Sequence, residues 1–120
     1  MMDMVSSSSM KILILGGYGV FGGRLAHLLA DVSGVELLIG GRDLAKAQHF
    51  CEAYAGQPSV EPVKLDRRTI AESLHSYRPH LVVDASGPFQ DYGNHRYGVI
   101  EACIAAGIDY LDFADAADFV

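Results

Sequence analysis

The sequence predicts an α/β domain built on a doubly wound parallel sheet of about five strands, in the order 3-2-1-4-5. Five short strand-like runs alternate with four segments in which apolar residues recur every three or four positions, the pattern of alternating strands and helices. The first, second and fourth runs are almost continuously apolar, as in strands that helices cover on both faces. Right-handed crossovers then leave a crevice between strands 1 and 4, where such sheets bind ligands.

The first half of the chain holds two strand–helix units. KILILG, residues 11–16, is the first strand, and the helix expected from Val20 to Asp31 has the apolar stripe Phe21, Leu25, Leu28 and Leu29. VELLIG, residues 35–40, is the second strand. Asp43 is suited to cap the second helix, whose stripe consists of Leu44, Ala47, Phe50, Cys51 and Tyr54.

The second half continues the alternation. SVEPVKLD, residues 59–66, is the third strand, and Pro62 predicts an edge position because proline cannot donate to a ladder. Thr69 is expected to cap a short helix that contains Ile70, Leu74 and Tyr77. HLVVDASG, residues 80–87, is the fourth strand. A helix over 94–106, stopped at Gly107, precedes the fifth strand DYLDFAD, residues 109–115, and its predicted face is Tyr97, Ile100, Cys103 and Ile104.

Composition narrows the classes of function. The chain has 120 residues, of which 50% are hydrophobic, and a formal net charge of −6, so nucleic acid and anionic membranes are not the expected partners. Residues 1–9 form an expected disordered leader without the features of a secretory signal, and 10–120 form the domain. Cys51 and Cys103 show no metal-ligand spacing and are expected to be reduced. These features together favour the cytoplasm.

The stretch KILILGGYGVFGGRLAHLLA, residues 11–30, places five glycines between positions 16 and 23. Gly17 to Gly22 fit G-x-G-x-x-G, and Gly16, Gly19 and Gly22 fit a looser G-x-x-G-x-x-G. After a strand and before a helix, this pattern predicts a Rossmann dinucleotide site. Gly17 permits the tight turn, Gly19 lets a diphosphate approach the backbone, and Gly22 lets helix and strand pack closely. The predicted contact residues are Gly17, Tyr18, Gly19, Val20, Phe21 and Gly22. A plain strand–helix turn, the alternative interpretation, needs fewer glycines.

The end of the second strand bears on the choice between NADP and NAD. NAD-binding domains usually have an acidic residue there, which binds the ribose 2′-hydroxyl. Here Gly40 and Gly41 are followed by Arg42, whose guanidinium suits a 2′-phosphate. NADP is therefore expected over NAD. Asp43 is interpreted as a structural cap, although an Asp43 turned toward the ribose would favour NAD.

Three further residues complete the predicted cofactor site. Asp66, at the end of the third strand, either accepts a hydrogen bond from the adenine amine or caps the following helix, and both interpretations stay open. Ser86 and Gly87 follow the fourth strand across the crevice from the glycine loop. Their small size leaves room for the nicotinamide-side ribose and phosphates, although a Gly-Pro turn alone explains part of this pattern.

With these motifs placed, the chain resembles the N-terminal cofactor domain of saccharopine dehydrogenase-like NAD(P)-binding proteins. The resemblance rests on ILGGYGVFGGRLA, IGGRDLAKA, VVDASGPFQDYG and YLDFAD, at 14–26, 39–47, 82–93 and 110–115. It covers nearly the whole chain after the leader. It implies a Rossmann fold, an NAD(P) cofactor and hydride-transfer ancestry, with a substrate and dimerisation domain beyond the fifth strand. The chain is thus expected to be a fragment that binds dinucleotide weakly and catalyses nothing alone.

No catalytic residue is assigned from the sequence. The five histidines are scattered without a metal-binding spacing, so no metal is expected. His95, just beyond the fourth-strand loop, is the one histidine placed to face the crevice, and an exposed residue at a helix start is the favoured interpretation of it. Tyr92 has Arg96 four residues later, where short-chain dehydrogenases have lysine. The expected partners are the dinucleotide and a small-molecule substrate brought by another domain, with self-association at the exposed sheet edge. A non-catalytic NADP sensor and an extended short-chain reductase or epimerase are the alternative functions.

Overall fold

Five strands and four helices alternate along the residues that the computed structural model describes, which are 9–66, 69–85 and 95–112. The strands are β1 to β5 and the helices α1 to α4, each numbered in chain order. The first half of this series is β1 (Met10–Leu15), α1 (Val20–Leu28), β2 (Val35–Gly41) and α2 (Leu44–Ala53). The second half is β3 (Ser59–Lys64), α3 (Ile70–Tyr77), β4 (Leu81–Asp84), α4 (His95–Ala106) and β5 (Asp109–Asp112). The expected leader falls almost entirely outside these residues.

The strands form one parallel sheet in the order β3-β2-β1-β4-β5, which confirms the predicted fold class. Leu15 pairs with Gly40 on one side and with Asp84 on the other. The carboxyl ends of the three central strands therefore meet at one edge of the sheet, with the crevice between β1 and β4. β3 is an outer strand, so Pro62 lies at the edge position predicted for it.

Side chains that alternate along the central strands fill two separate cores. One core combines Ile12, Ile14, Leu37 and Ile39 with Ala26 of α1 and Ala47 of α2. The other combines Leu13, Leu15, Leu38 and Val82 with Leu74 of α3 and with Val99 and Cys103 of α4. Because helices cover both faces, consecutive strand residues are both buried, and this explains the continuous apolar runs.

The stripe predicted for α1 is wrong in part. The buried residues of this helix are Gly22, Gly23 and Ala26, whereas Phe21 and Leu28 are 55% and 74% exposed. The helix approaches the β1 turn so closely at Gly22 that only small residues fit at the contact. Large apolar side chains on this helix are therefore displaced to its outer side.

The later helices also differ in detail from the expectation. Among the α4 side chains that the structure describes, which leave out the predicted Tyr97, the buried pair is Val99 and Cys103, one helical turn apart, while Ile104 is 73% exposed. The helix ends before Gly107, which has a φ of 72°, as predicted. Thr69 occupies the N-cap position of α3, but its hydroxyl donates to the Asp66 carbonyl at 3.2 Å instead of capping the helix. None of the helices within the described residues is both long and apolar enough to cross a bilayer.

Candidate functional site

The turn between β1 and α1 is closed by backbone hydrogen bonds. Gly16 has a φ of 75°, a conformation that side chains disfavour. The N–H groups of Gly16 and Gly17 both donate to the Gly40 carbonyl, at 2.8 and 3.2 Å, and Gly19 N–H donates to the Gly16 carbonyl at 2.9 Å. The tight turn expected at Gly17 thus has its left-handed residue one position earlier. Gly17 is required for space, since a Cβ there would lie 2.9 Å from Ile39 Cγ2.

Gly22 brings the first turn of α1 against the strand end. A Cβ on Gly22 would lie 2.8 Å from Gly17 Cα and 2.9 Å from the Gly16 carbonyl carbon. Both neighbours are backbone atoms in a hydrogen-bonded turn, so they have little freedom to move away. The close helix–strand approach that the motif predicts is present, and it fixes where the start of α1 points.

The start of α1 presents backbone N–H groups without a capping side chain. Gly19 is the exposed N-cap residue, with φ −83° and ψ −171°, and no side chain in the described part of the protein caps this end. The helical ladder begins with Gly23 N–H donating to the Gly19 carbonyl at 2.8 Å, so the N–H groups of Val20 and Gly22 precede it. Within the described ranges, the one atom close to a Cβ on Gly19 would be the Gly16 carbonyl oxygen, at 3.3 Å. This end of the helix, with its positive dipole, is therefore open toward an anion.

The end of β2 contacts the glycine loop through Tyr18. The Tyr18 ring lies over Gly41, and its hydroxyl oxygen accepts a hydrogen bond from Asp43 N–H at 3.1 Å. Asp43 in turn accepts from Lys46 N–H at 3.2 Å through its carboxylate, which confirms it as the N-cap of α2. Arg42 lies between Gly41 and Asp43 in the sequence and is exposed. Sequence reasoning included Tyr18 and Arg42 in the site but missed this contact, because no local pattern records it.

A surface cavity of about 380 Å³ lies beside this contact. Tyr18 forms one wall, and the others come from α2, namely Ala45, Lys46, His49 and Phe50. One of these five side chains, that of Lys46, is cationic, and none of the five is acidic. The cavity therefore lies between Tyr18 of the glycine loop and the first half of α2.

The remaining predicted cofactor residues divide into two groups. Asp66 follows β3 and is half-buried, and its carbonyl accepts from the N–H and hydroxyl of Thr69 at 2.9 and 3.2 Å. This backbone contact helps to start α3 and leaves the role of the Asp66 carboxylate undecided between the two interpretations. Ser86 and Gly87 lie outside the described residues, as does Tyr92. The side chain of His95 is likewise outside them.

One charged side chain is buried among the residues that the structure describes. Asp84, the last residue of β4, is 1% exposed and accepts a hydrogen bond from Tyr110 at 3.2 Å. Burial, and then the charge of Asp84, raise the pKa of the neighbouring Cys103 thiol from 9.0 to about 11. Burial, and then Glu61, also raise the pKa of Cys51. Both cysteines are free thiols, and no cluster of metal-ligating side chains occurs among the residues described.

Comparison with known proteins identifies related chains. The model of the saccharopine dehydrogenase NADP binding domain matches residues 12–118. Carboxyaminopropylagmatine dehydrogenase of Synechocystis sp. is 30% identical over 109 residues, which cover 88% of this chain and 26% of that enzyme. The chain thus spans about a quarter of the length of this curated relative.

Solved structures share the fold. The Bordetella bronchiseptica enzyme WbmG, in complex with NAD, matches with a TM-score of 0.63 and 23% identity, over 88% of this chain and 37% of that one. Apo saccharopine dehydrogenase (L-Glu forming) of Saccharomyces cerevisiae matches with a TM-score of 0.65 and 17% identity, over 88% of this chain and 22% of that one. At these identities the likeness supports the fold and the strand order.

Proposed function

The chain belongs to the saccharopine dehydrogenase NADP binding domain family, and from that membership we propose that it binds NADP at the loop between β1 and α1. The observation that carries the proposal is the open start of α1. Among the residues that the structure describes, no side chain caps Gly19 and none lies over it. The diphosphate accepts hydrogen bonds from main-chain N–H groups at this corner, and the helix dipole adds to the attraction.

The proposed diphosphate site is the loop from Gly17 to Gly22. Gly19 supplies the bare backbone that the phosphates approach, and Val20 and Gly22 contribute N–H groups ahead of the helical ladder. The exposed side chains of Val20 and Phe21, at 77% and 55%, flank the bound cofactor. Tyr18 lies on the adenosine side because its ring contacts the end of β2.

Two features favour NADP over NAD. The exposed Arg42 is positioned to pair with a 2′-phosphate, whose charge and geometry suit a guanidinium. The carboxylate that follows Arg42 in the sequence, that of Asp43, is held by the Lys46 N–H at the start of α2. A carboxylate at the end of β2 would instead bind the 2′-hydroxyl and repel a phosphate there. The family description also names NADP.

The outer parts of the cofactor extend over the neighbouring strands. Asp66, after the edge strand, is proposed to contact the adenine. Ser86 and Gly87, which follow β4 in the sequence, are proposed to line the nicotinamide side of the crevice. These three assignments follow from strand order, since the carboxyl ends of β1, β2, β3 and β4 lie along one edge of the sheet.

In the complete protein, we propose that this domain holds the nicotinamide for hydride transfer to or from a small-molecule substrate. The support is the curated relative, a dehydrogenase that is about four times as long as the matched region. A second domain would then supply the substrate pocket and the proton donor or acceptor. A cytoplasmic location suits a protein with reduced thiols and this cofactor.

Isothermal titration of the 120-residue chain with NADPH and NADH tests this proposal. We expect saturable binding of both, tighter for NADPH. Gly19→Asp should lose binding of both cofactors, because its carboxylate takes the anion position at the helix start and repels the diphosphate. The variant should stay folded, since its φ and ψ suit any residue.

Ser33→Asp is the matched control, because it adds the same charge at an exposed position before β2, at the opposite edge of the sheet. It should bind both cofactors like the unsubstituted chain. A folded chain that binds neither dinucleotide would refute the proposal. A Gly19→Asp variant that binds as tightly as the unsubstituted chain would place the diphosphate elsewhere.

A further inference from the structure

We propose that Tyr18 determines the cofactor specificity of this domain by occupying the space of a residue-41 side chain and by donating its hydroxyl hydrogen to a 2′-phosphate. This inference rests on the proposed dinucleotide function and names the residue that reads the 2′ position. It goes beyond the pairing of Arg42 with that phosphate.

The Tyr18 ring occupies the space that a side chain at position 41 would need. A Cβ on Gly41 would lie 2.5 Å from the Tyr18 hydroxyl oxygen and 2.6 Å from the ring carbon that bears it. A side chain at position 41 therefore requires the Tyr18 ring to leave. Position 41 is the last residue of β2, where NAD-binding domains usually have the acidic residue that binds the ribose. While the Tyr18 ring lies over Gly41, this position has no room for such a side chain.

The Tyr18 hydroxyl group is held in place by a backbone hydrogen bond. Its oxygen accepts from Asp43 N–H at 3.1 Å, which fixes the oxygen beside the loop that carries Arg42. A phenol both accepts and donates, and because its oxygen is engaged as the acceptor, its hydrogen points away from Asp43. A phosphate oxygen is an acceptor with charge, so the hydrogen bond to it is stronger than one to a ribose hydroxyl.

Basic residues occur around this hydroxyl. Arg42 is exposed next to Gly41, and Lys46 and His49 line a cavity of about 380 Å³ together with Tyr18. The Asp43 carboxylate is engaged at the Lys46 N–H. Lys46 thus shares a cavity with Tyr18, and its positive charge favours a dianionic group over an uncharged one nearby.

Dissociation constants for NADPH and NADH, measured by titration calorimetry on three forms of the chain, test the inference. Tyr18→Phe keeps the ring over Gly41 and removes only the hydroxyl. We expect NADPH binding to weaken by about tenfold, the effect of one hydrogen bond to a charged group, with NADH changed by less than about twofold. The double variant Tyr18→Ala with Gly41→Asp exchanges the ring for a carboxylate and should prefer NADH.

Two control variants accompany these. Tyr77→Phe removes a phenolic hydroxyl from the half-buried Tyr77 of α3, on the opposite face of the sheet, and should leave both constants unchanged. Arg78→Gly removes a cation far from the site at a φ of 49° that glycine adopts readily, and should also leave both unchanged. Circular dichroism confirms the fold of each variant, and Tyr18→Phe alone decides if the double variant does not fold.

The outcomes separate the two proposals. If the unsubstituted chain binds neither dinucleotide, the proposed function fails and the inference fails with it. If it binds both cofactors but Tyr18→Phe weakens them equally or not at all, the inference is wrong while the diphosphate site stands. A double variant that still prefers NADPH would also overturn the inference.

Discussion

Tyr110 of β5 donates its phenolic hydrogen to the carboxylate of Asp84, the last residue of the neighbouring strand β4, at 3.2 Å. Asp84 is 1% exposed, and a buried carboxylate is stable only with hydrogen-bond donors around it. The two residues link the strand that borders the crevice to the outer strand beside it. The contact therefore helps to hold β4 in place where it lines the candidate site.

Tyr110→Phe should lower the free energy of unfolding by about 1–2 kcal/mol, because the buried carboxylate loses one donor while the ring stays in place. Urea denaturation followed by circular dichroism measures the change. Tyr77→Phe is the control and should change stability by less than about 0.5 kcal/mol. Equal stability of Tyr110→Phe and the unsubstituted chain would show that other partners of Asp84 compensate fully.

Gly22→Ala should lower the free energy of unfolding by about 2 kcal/mol or more, because its Cβ meets backbone atoms of Gly16 and Gly17 that form a closed turn. Gly98→Ala is the matched control in α4, where a Cβ would have no described neighbour within 4 Å. It should stabilise the protein by about 0.5–1 kcal/mol through helix propensity. Thermal denaturation compares the two, and shifts of the same sign would contradict the close helix–strand approach.

Asp43→Ala should cost about 1 kcal/mol of stability, because the Lys46 N–H at the start of α2 loses its acceptor. Asp43→Asn should retain most of the stability, since the amide oxygen also caps. Chemical denaturation of both variants measures the difference. A similar loss in both would mean that the charge of Asp43, and not its capping oxygen, stabilises the helix start.

The buried thiol of Cys103 should make the free energy of unfolding fall at alkaline pH. Its thiol pKa is raised from 9.0 to about 11 by burial and by Asp84, so the unfolded chain loses this proton at a lower pH than the native one. The contribution of this proton to the free energy of unfolding is intact below about pH 9 and is lost between about pH 9 and pH 11. The free energy of unfolding is therefore about 1 kcal/mol lower at pH 10 than at pH 7.

The measurement for Cys103 is the change in unfolding free energy between pH 7 and pH 10. Cys103→Ala should remove this part of the pH dependence, whatever its effect on stability at pH 7. Cys51→Ala, at a half-buried position, should remove less of it. If Cys103→Ala and the unsubstituted chain lose the same free energy between the two pH values, the raised pKa of Cys103 does not govern alkaline stability.

The elements of the fold were predictable because their signals are local. Apolar runs marked the strands, Asp43 marked the start of α2 and Gly107 marked the end of α4. The strand order followed from the handedness of parallel crossovers, which allows few alternatives. The glycine spacing between Gly17 and Gly22 likewise located the loop that carries the candidate site, since turn and helix start lie within a few residues of each other.

Predictions that depended on which side a helix presents to the sheet were less successful. Phe21, Leu28 and Ile104 were assigned to buried stripes but are exposed. A periodic pattern states that a helix has an apolar side, but it does not state how near the helix comes to its neighbour. At Gly22 that distance is so short that glycine and alanine replace large side chains at the contact.

The sequence by itself determined the alternation of strands and helices, their order in the sheet and the position of the glycine loop, because each follows from short-range spacing or from chain handedness. Only the tertiary structure decided that Tyr18 covers Gly41 and accepts from Asp43, and that Tyr110 reaches Asp84. Both contacts join residues from different strand–helix units. Their geometry depends on how closely those units pack, and local sequence does not encode that distance.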